Sequence, residues 1–245
     1  AMRLCGVSEP AADATMAASF GGYDLCREAF DLECLEKAGV LISFYPAVLK
    51  RGVKAGSRMA GRYRGIPVFW SVGDNQASFF GAAGRSEDAV CVNVGTGSQV
   101  SLFDRRRLPC RWGEVRPFPG EGYLYVQASL NGGKVYERLA LFLEEICSGL
   151  PEECLSGMRV NGYDLAQRLL RQKESTDLSV YPSLYGVRGR KKRFGVIENI
   201  TEKNFHPSDL VRAYVAGMAA ELHDMYGGFP DGLCGGRRKI IASGN

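Results

Sequence analysis

Short runs of apolar residues alternate along the chain with segments in which apolar residues recur at helical spacing. The first pattern is typical of buried strands, and the second of helices with one buried face. Strands are predicted at residues 68–72, 89–94, 99–103, 123–129, 178–185 and 239–243, and helices at 31–38, 76–83, 134–147, 165–170 and 208–225. Strands that alternate with helices indicate an α/β protein.

Four of the predicted strands run directly into turns that contain glycine. These turns are Gly73-Asp74, Gly95-Thr96-Gly97-Ser98, Asn131-Gly132-Gly133 and Ser243-Gly244-Asn245. Glycine lets the backbone come close to a ligand, and exposed N–H groups with nearby hydroxyls can hydrogen-bond phosphate oxygens. The third turn precedes a predicted helix, and a strand, a glycine turn and a helix together form an anion-binding arrangement. A single turn of this kind most often only connects two elements, so the set of four carries the prediction.

Neither of the two common glycine-rich nucleotide motifs explains these turns. The chain has no P-loop sequence, and no Gly-x-Gly-x-x-Gly follows a strand. The first turn places Asp74 at the tip of strand 68–72. A carboxylate there can act as a general base, or it can simply cap the helix that follows.

The composition is that of a globular protein. The chain has 245 residues, of which 45% are hydrophobic and 24% charged, and this excludes the fibrous and disordered classes. The net charge is +4, and the basic runs at residues 105–107 and 188–193 are short. We therefore expect solvated loops and no nucleic-acid partner. The 31 glycines are the unusual feature, because average usage is about 7%.

The cysteines predict no disulfide framework and no metal centre. There are eight of them without any Cys-x-x-Cys, and only two histidines. Cys91 and Cys147 have apolar neighbours, which favours small buried side chains in a reducing compartment. No apolar run reaches the roughly 18 residues of a membrane span, and the N-terminus has no signal-peptide pattern. These features predict a cytoplasmic protein without a membrane partner.

Several segments, in this order and at these intervals, resemble the FGGY family of carbohydrate kinases, and most of all its sedoheptulokinase-like branch. The most specific are Val72-Gly-Asp-Asn-Gln-Ala-Ser78 and Val92-Asn-Val-Gly-Thr-Gly-Ser-Gln-Val100, followed by Ala128-Ser-Leu-Asn-Gly-Gly133 and Ile241-Ala-Ser-Gly-Asn245. Asp13-Ala-Thr-Met-Ala-Ala-Ser19 is similar to the family's segment near the sugar site. Residues 195–210 partly fit its second signature, with Asn199 where the signature usually has glycine.

The resemblance implies an actin-like, ribonuclease-H-like α/β fold with two domains around a cleft. It assigns residues 1–84 to the C-terminal part of the sugar-binding domain and residues 85–245 to the N-terminal part of the ATP-binding domain. Family members are about twice as long, and an upstream Asp-Gly-Thr phosphate hairpin has no counterpart here. Both domains are therefore expected to be incomplete in this chain.

The resemblance also assigns roles to individual residues. Asp74 matches the catalytic aspartate that takes the proton of the attacking sugar hydroxyl. The residues implied at the sugar are Asp74, Asn75 and Asp13. The residues implied at ATP are Gly95, Thr96, Gly97, Asn131, Gly132, Gly133, Gly244 and Asn245. No residue is assigned to a metal, although Mg²⁺ is expected to bridge the phosphates of ATP.

The function that follows is an ATP-dependent carbohydrate kinase, with the 245-residue chain alone inactive or nearly so. The acceptor is a ketose or polyol, with sedoheptulose and xylulose as candidates, and a homodimer is compatible with the sequence. A second interpretation is a non-catalytic scaffold or regulator that keeps the nucleotide cleft, and the missing phosphate hairpin supports it. A third is an unrelated α/β domain whose glycine turns merely connect strands.

Overall fold

The computed structural model describes residues 1–49, 52–151, 160–186, 194–236 and 239–244. Asn245, Cys154 and the basic run at 188–193 therefore lie outside the described residues. The chain forms two compact units. The first unit contains Ala1–Cys91, Ser101–Val126 and Pro230–Ile241, and the second contains Val92–Val100, Gln127–Phe229 and Ala242–Asn245.

The first 83 residues form short strands and helices. In chain order these are α1 Met2–Cys5, β1 Ala11–Asp13, α2 Ala14–Ala17, β2 Tyr23–Asp24, β3 Ala29–Phe30, α3 Leu32–Lys37, a 3₁₀ turn Ile42–Phe44, β4 Ala47–Leu49, β5 Lys54–Ser57, β6 Pro67–Phe69 and α4 Asp74–Ala83. Strands β1 and β4 pair in parallel, whereas β2 with β3 and β5 with β6 form antiparallel pairs. The parallel pair fixes the backbone of Asp13 opposite Leu49.

Five strands form the largest sheet. They are β7 Ala89–Val94, β8 Ser98–Asp104, β9 Glu114–Pro117, β10 Tyr123–Ser129 and β13 Lys239–Gly244. Their order across the sheet is β13-β7-β8-β10-β9. The predicted hairpin of β7 and β8 is confirmed, since these strands are neighbours joined by Gly95-Thr96-Gly97.

The remaining elements are mainly helical. They are α5 Gly133–Ser148, α6 Gly162–Arg171, β11 Ser179–Tyr181, β12 Val196–Glu198, α7 Pro207–Gly227 and α8 Asp231–Cys234. Helices α5, α6 and α7 share a core of Leu139, Leu143, Ala166 and Val211. The apolar face that the sequence predicts for α5 is buried at Val135, Leu139 and Leu143, whereas Phe142 and Ile146 on the same predicted face are exposed.

An aromatic cluster in the first unit holds α4 in place. Phe79 of α4 contacts Phe118 edge-on with ring centroids 5.8 Å apart, and Phe103 of β8 lies 4.7 Å from the same ring. Phe79, Phe103 and Phe118 are all buried, together with Leu124 and Val126. Side-chain packing of this kind fixes the axis of α4, and with it the position of the first turn of that helix.

Helix α4 differs from its prediction at its start. Strand β6 ends at Phe69, and the helix begins at Asp74 rather than at Gln76. Gly73 has φ −59° and ψ 140° and is the N-cap residue. The expectation that Asp74 lies at the tip of a strand is therefore wrong: it is the first residue of a helix, where a negative charge interacts favourably with the helix dipole.

Within the part of the chain that the structure describes, no helix is both long and apolar enough to cross a bilayer.

Candidate functional site

Asp74 carries an exposed carboxylate on a helix whose other side is buried. Its Oδ1 accepts a hydrogen bond from the N–H of Asn75 at 2.7 Å. Gln76 and Phe79, two and five residues further on, are buried. The buried side of α4 anchors the helix, and the Asp74 carboxylate remains accessible to a ligand. Such a group can accept a proton from a substrate hydroxyl.

Asp13, the other predicted sugar-side carboxylate, is buried and bonded to the chain itself. It is 1% exposed and is the N-cap residue of α2. Its Oδ1 accepts hydrogen bonds from the backbone N–H of Thr15 at 2.9 Å and from the Thr15 hydroxyl at 2.7 Å, and its Oδ2 accepts one from Gly52 N–H at 2.7 Å. The role of Asp13 as a sugar ligand stays a prediction, while these three bonds give it a structural role.

The hairpin turn Gly95-Thr96-Gly97 presents donors that no other described residue accepts from. The N–H of Gly95 donates to the carbonyl of Gly97 at 2.9 Å and closes the turn. Among residues 1–49, 52–151, 160–186, 194–236 and 239–244, no partner is found for the N–H groups of Thr96 and Gly97 or for the Thr96 hydroxyl. Thr96 is also exposed. Two backbone N–H groups and a hydroxyl on adjacent residues are suitable donors for phosphate oxygens.

The turn before α5 interlocks with this hairpin through backbone atoms. The N–H of Gly133 donates to the carbonyl of Gly95 at 2.6 Å, and that of Lys134 to the carbonyl of Thr96 at 3.4 Å. A Cβ atom on Gly97 would lie 2.5 Å from the carbonyl oxygen of Ser129, so no larger residue fits there. The two turns are thus in direct backbone contact.

This contact changes the anion-binding arrangement that the sequence predicts at α5. The N–H groups of Gly133 and Lys134 donate to the hairpin, and those of Val135 and Tyr136 to the carbonyl of Gly132. The first turn of α5 therefore has its amides bonded to carbonyl groups of the chain. The contact of Gly132 and Gly133 with ATP stays a prediction, and the unpaired donors lie on the hairpin instead.

Asn131 uses its side chain to hold the turn in place. It is 4% exposed. Its Nδ2 donates to the carbonyl of Gly186 at 3.1 Å, to Glu221 Oε1 at 3.0 Å and to Ser129 Oγ at 3.3 Å, and its Oδ1 accepts from Tyr185 N–H at 3.2 Å. The predicted ATP contact of Asn131 is untested, but its amide joins the turn to the loop at Tyr185 and to α7.

Glu221 is the residue of this site that sequence reasoning did not identify. It accepts hydrogen bonds from both Ser129 and Asn131, about 90 residues earlier in the chain. The signal was a charged residue among the apolar residues of α7, next to Met218 and Leu222. Nothing in the sequence indicates its partners.

Gly244 lies beside the same group of turns at the end of β13. A Cβ atom there would lie 2.2 Å from the carbonyl oxygen of Val94, and φ is +143°. The second unit thus brings together the hairpin, the Asn131 turn and Gly244, while Asp13, Asp74 and Asn75 belong to the first unit. Asn245 lies outside the described residues.

The described residues contain no group of three or more His, Cys, Asp or Glu that could hold a metal ion. None of the seven described cysteines is in a disulfide. Burial raises the pKa of the Cys91 and Cys110 thiols, which disfavours the reactive thiolate. Among the described residues, the groups at the predicted site positions are therefore the Asp74 carboxylate in the first unit, and the Thr96 hydroxyl and backbone amides of the hairpin in the second unit.

Comparison with known proteins supplies the family context. No protein-family model matches the chain. Two curated relatives are similar in sequence: sedoheptulokinase from Mus musculus is 28% identical, and sedoheptulokinase from Homo sapiens is 26% identical. Each alignment covers 91% of this chain and 48% of the relative. The chain thus spans about half the length of the curated relatives it matches.

Solved structures of sugar kinases have the same fold. The ligand-bound xylulose kinase from Lactobacillus acidophilus matches 100% of this chain and 49% of its own, with a TM-score of 0.79 at 19% identity. Glycerol kinase from Plasmodium falciparum with ADP matches 100% of this chain and 48% of its own, with a TM-score of 0.74 at 17% identity. The resemblance of this chain to the carbohydrate kinases is therefore confirmed, and the chain has the actin-like ATPase fold of those enzymes.

Proposed function

We propose that the chain is the part of an ATP-dependent carbohydrate kinase that contains the catalytic base and one of the phosphate-binding hairpins. The observation that carries this proposal is the similarity to sedoheptulokinase over 91% of the chain. The likeness in fold to xylulose and glycerol kinases supports it. Because the chain spans about half of these relatives, the activity belongs to the longer protein, and this chain alone is inactive or nearly so.

Asp74 acts in this proposal as the base on the sugar side. A sugar hydroxyl that attacks phosphorus must lose its proton, and a carboxylate fixed on a rigid helix can orient the oxygen and accept that proton. The exposure of Asp74 and the packing of Phe79 on the other side of α4 fit this role. Asn75 is placed next to the base and lies at the sugar in the same proposal.

Thr96 and Gly97 hold phosphate oxygens of ATP. Their N–H groups and the Thr96 hydroxyl supply three donors on one exposed turn, and hydrogen bonds to a charged phosphate are stronger than those between neutral groups. ATP supplies the phosphoryl group, and Mg²⁺, when bound with it, would neutralise negative charge on the phosphates. Since the described residues contain no cluster of three or more His, Cys, Asp or Glu, we expect water and phosphate oxygens to provide most ligands of the ion.

The acceptor sugar is a ketose or a polyol, with sedoheptulose and xylulose as the first candidates. Within the proposed fold, residues 1–84 belong to the sugar-binding domain and residues 85–245 to the ATP-binding domain. A cytoplasmic location and the homodimer remain predictions of the sequence; the lack of a disulfide among the seven described cysteines is compatible with the former.

The test is sugar-dependent release of ADP by the product of the complete reading frame that contains this chain. A panel of sedoheptulose, xylulose, ribulose and glycerol is assayed with ATP and Mg²⁺, and binding of ATP and of each sugar is measured by titration calorimetry. We expect turnover with at least one acceptor. Binding of ATP without turnover on any acceptor would favour the non-catalytic scaffold, and absence of nucleotide binding would favour the unrelated α/β domain.

A further inference from the structure

The start of α4 is held by a residue 58 positions earlier in the chain. Gly73, the N-cap residue, has no side chain to cap the helix. Its backbone N–H instead donates to the hydroxyl oxygen of Thr15 at 3.0 Å. Thr15 is 0% exposed, so water does not compete for this bond. The residue that immediately precedes Asp74 is thereby fixed by α2.

The Thr15 hydroxyl takes part in two hydrogen bonds with different partners. It donates to Asp13 Oδ1 at 2.7 Å and accepts from Gly73 N–H. Because a hydroxyl has one proton, donation to the carboxylate directs its lone pairs toward Gly73, and the negative charge strengthens the hydroxyl as an acceptor. The charge of Asp13 thus acts on the start of α4 through Thr15.

Asp13 is itself rigidly placed. Its backbone lies in β1, paired in parallel with β4, and its second carboxylate oxygen accepts from Gly52 N–H. A continuous series of hydrogen bonds therefore leads from the paired strands through Asp13 and Thr15 to Gly73.

A second contact from α4 reaches the same residue. The side-chain amide of Gln76, which is 0% exposed, donates to the carbonyl of Thr15 at 3.5 Å and to that of Pro117 at 3.1 Å. A Cβ atom on Gly73 would lie 2.4 Å from Gln76 Oε1. The first turn of α4 is therefore packed closely around Thr15.

We infer that Thr15, oriented by the Asp13 carboxylate, is a positioning residue that sets the location of the Asp74 carboxylate. This inference rests on the proposed function of Asp74 as the base. In this inference Asp13 supports the Asp74 carboxylate indirectly. The charge of Asp13 acts through the Thr15 hydroxyl and not by contact with the sugar. Small displacements of a reacting group cost large factors in rate, so the effect is on turnover rather than on binding.

The link between Thr15 and Gly73 is tested first in the 245-residue chain. Amide hydrogen exchange at Gly73 is measured for the native chain, Thr15→Val and Thr15→Ser. We expect exchange to be roughly 10-fold faster in Thr15→Val, because the acceptor is lost. Thr15→Ser keeps the hydroxyl and should restore slow exchange. Equal exchange in native chain and Thr15→Val would overturn the inference.

A matched control for stability lies in the second unit. Thr176 has the same pattern of bonds, because its hydroxyl donates to Asp209 Oδ1 at 2.6 Å and accepts from Leu178 N–H at 3.2 Å. Thr176→Val removes an equivalent hydroxyl that is outside the proposed site. The rate of amide hydrogen exchange at Gly73 in Thr176→Val should equal the rate in the native chain.

The effect on catalysis is tested in the product of the complete reading frame. We expect Thr15→Val to lower kcat roughly 10- to 100-fold, with KM for sugar and ATP changed less than about twofold, and Thr15→Ser to recover most of the loss. A raised sugar KM at unchanged kcat would identify a sugar contact and overturn the inference. If Thr176→Val lowered kcat as much as Thr15→Val, the loss of kcat would reflect reduced stability alone, and this result would also overturn the inference.

These outcomes separate the inference from the proposed function. If the native enzyme releases no ADP in the presence of any sugar, the proposed function fails, and the positioning of a catalytic base fails with it. If the native enzyme is active, and the Thr15 variants have the same hydrogen exchange at Gly73 and the same kcat as the native enzyme, only the positioning inference fails.

Discussion

Glu221 of α7 accepts a hydrogen bond from the buried side-chain amide of Asn131 at 3.0 Å, and the same oxygen accepts one from the Ser129 hydroxyl at 2.5 Å. Both donors lie where β10 leads into α5. The Glu221 carboxylate therefore holds the turn next to the Gly95-Thr96-Gly97 hairpin against a helix about 90 residues further along the chain. Removing it leaves a buried amide with one acceptor fewer.

We expect Glu221→Ala to lower the free energy of unfolding by about 1–3 kcal/mol, since hydrogen bonds to a charged group are lost. Glu221→Gln keeps an oxygen acceptor and should cost less. Urea denaturation measures both. Glu137→Ala is the control, because Glu137 is an exposed helical residue on α5. Equal midpoints for Glu221→Ala and Glu137→Ala would contradict the structural role of Glu221.

If Asp74 is the base that we propose, Asp74→Asn should lower kcat of the product of the complete reading frame on the order of 10²–10⁴-fold, the range for loss of a general base. Sugar binding should be retained, because the amide keeps the shape of the carboxyl group. Steady-state ADP release and sugar titration measure the two effects. Asp164→Asn is the matched control, since Asp164 is an exposed aspartate in the first turn of α6. Turnover near the native rate in Asp74→Asn would exclude this residue as the base.

Thr96→Val should weaken ATP binding roughly 10-fold or more, because the proposed hydrogen bond from its hydroxyl to a charged phosphate is lost. Stability should not change, since the Thr96 hydroxyl has no partner among the described residues. Titration calorimetry with ATP and thermal denaturation distinguish these effects. Thr96→Ser should bind ATP like the native protein, and Thr201→Val, at another exposed threonine, should have no effect on ATP binding.

Gly97→Ala and Gly95→Ala are expected to differ in their effect on stability. The added methyl group at Gly97 would meet the Ser129 carbonyl oxygen at 2.5 Å, whereas the nearest atom at Gly95 is 4.0 Å away. We expect Gly97→Ala to be destabilised by about 1–3 kcal/mol and Gly95→Ala to be nearly neutral. Chemical denaturation compares them. Similar losses at both positions would argue against the backbone contact between the two turns.

The pH dependence of stability should have a component from Asp209. Hydrogen bonds from Lys173 and then from Thr176 lower the pKa of this carboxyl group below its usual value. A lowered pKa in the folded chain means that the stabilisation is present at neutral pH, above the unfolded pKa of about 3.9. It is lost as the pH falls through the folded value.

Unfolding midpoints between pH 7 and pH 3 check this sign. Asp209→Asn should show a smaller loss of stability on acidification than the native chain. Asp177→Asn, in the same segment, should retain the native pH dependence. A steeper loss in Asp209→Asn would contradict the assignment.

The long elements could be predicted from the sequence because each has its own pattern. Strand β10 was predicted at residues 123–129 and is found at Tyr123–Ser129, and α5 agrees within one residue at each end. Their apolar residues are numerous enough to define a period. By contrast, strands β1 to β5 have two to four residues each, too few to show any period.

The sequence predicts the turns of the candidate site, but it does not predict the hydrogen bonds that connect them to distant parts of the chain. Gly97, Gly132 and Gly133 indicate that the backbone passes close to another group at these positions. In the structure, the groups that they approach include backbone atoms of neighbouring turns of the same chain. The bond of Thr15 to Gly73 and that of Glu221 to Asn131 join residues 58 and 90 positions apart. No local pattern encodes such pairs, since they depend on how elements pack.

The backbone contact between the Gly95-Thr96-Gly97 hairpin and the start of α5 also bears on evolutionary divergence. Its bonds run from the N–H of Gly133 to the carbonyl of Gly95 and from the N–H of Lys134 to the carbonyl of Thr96. Such atoms are present in nearly every amino acid, so most substitutions leave this contact intact and only the crowded glycines are restricted. Most substitutions in this part of the chain can therefore accumulate without breaking these two backbone hydrogen bonds.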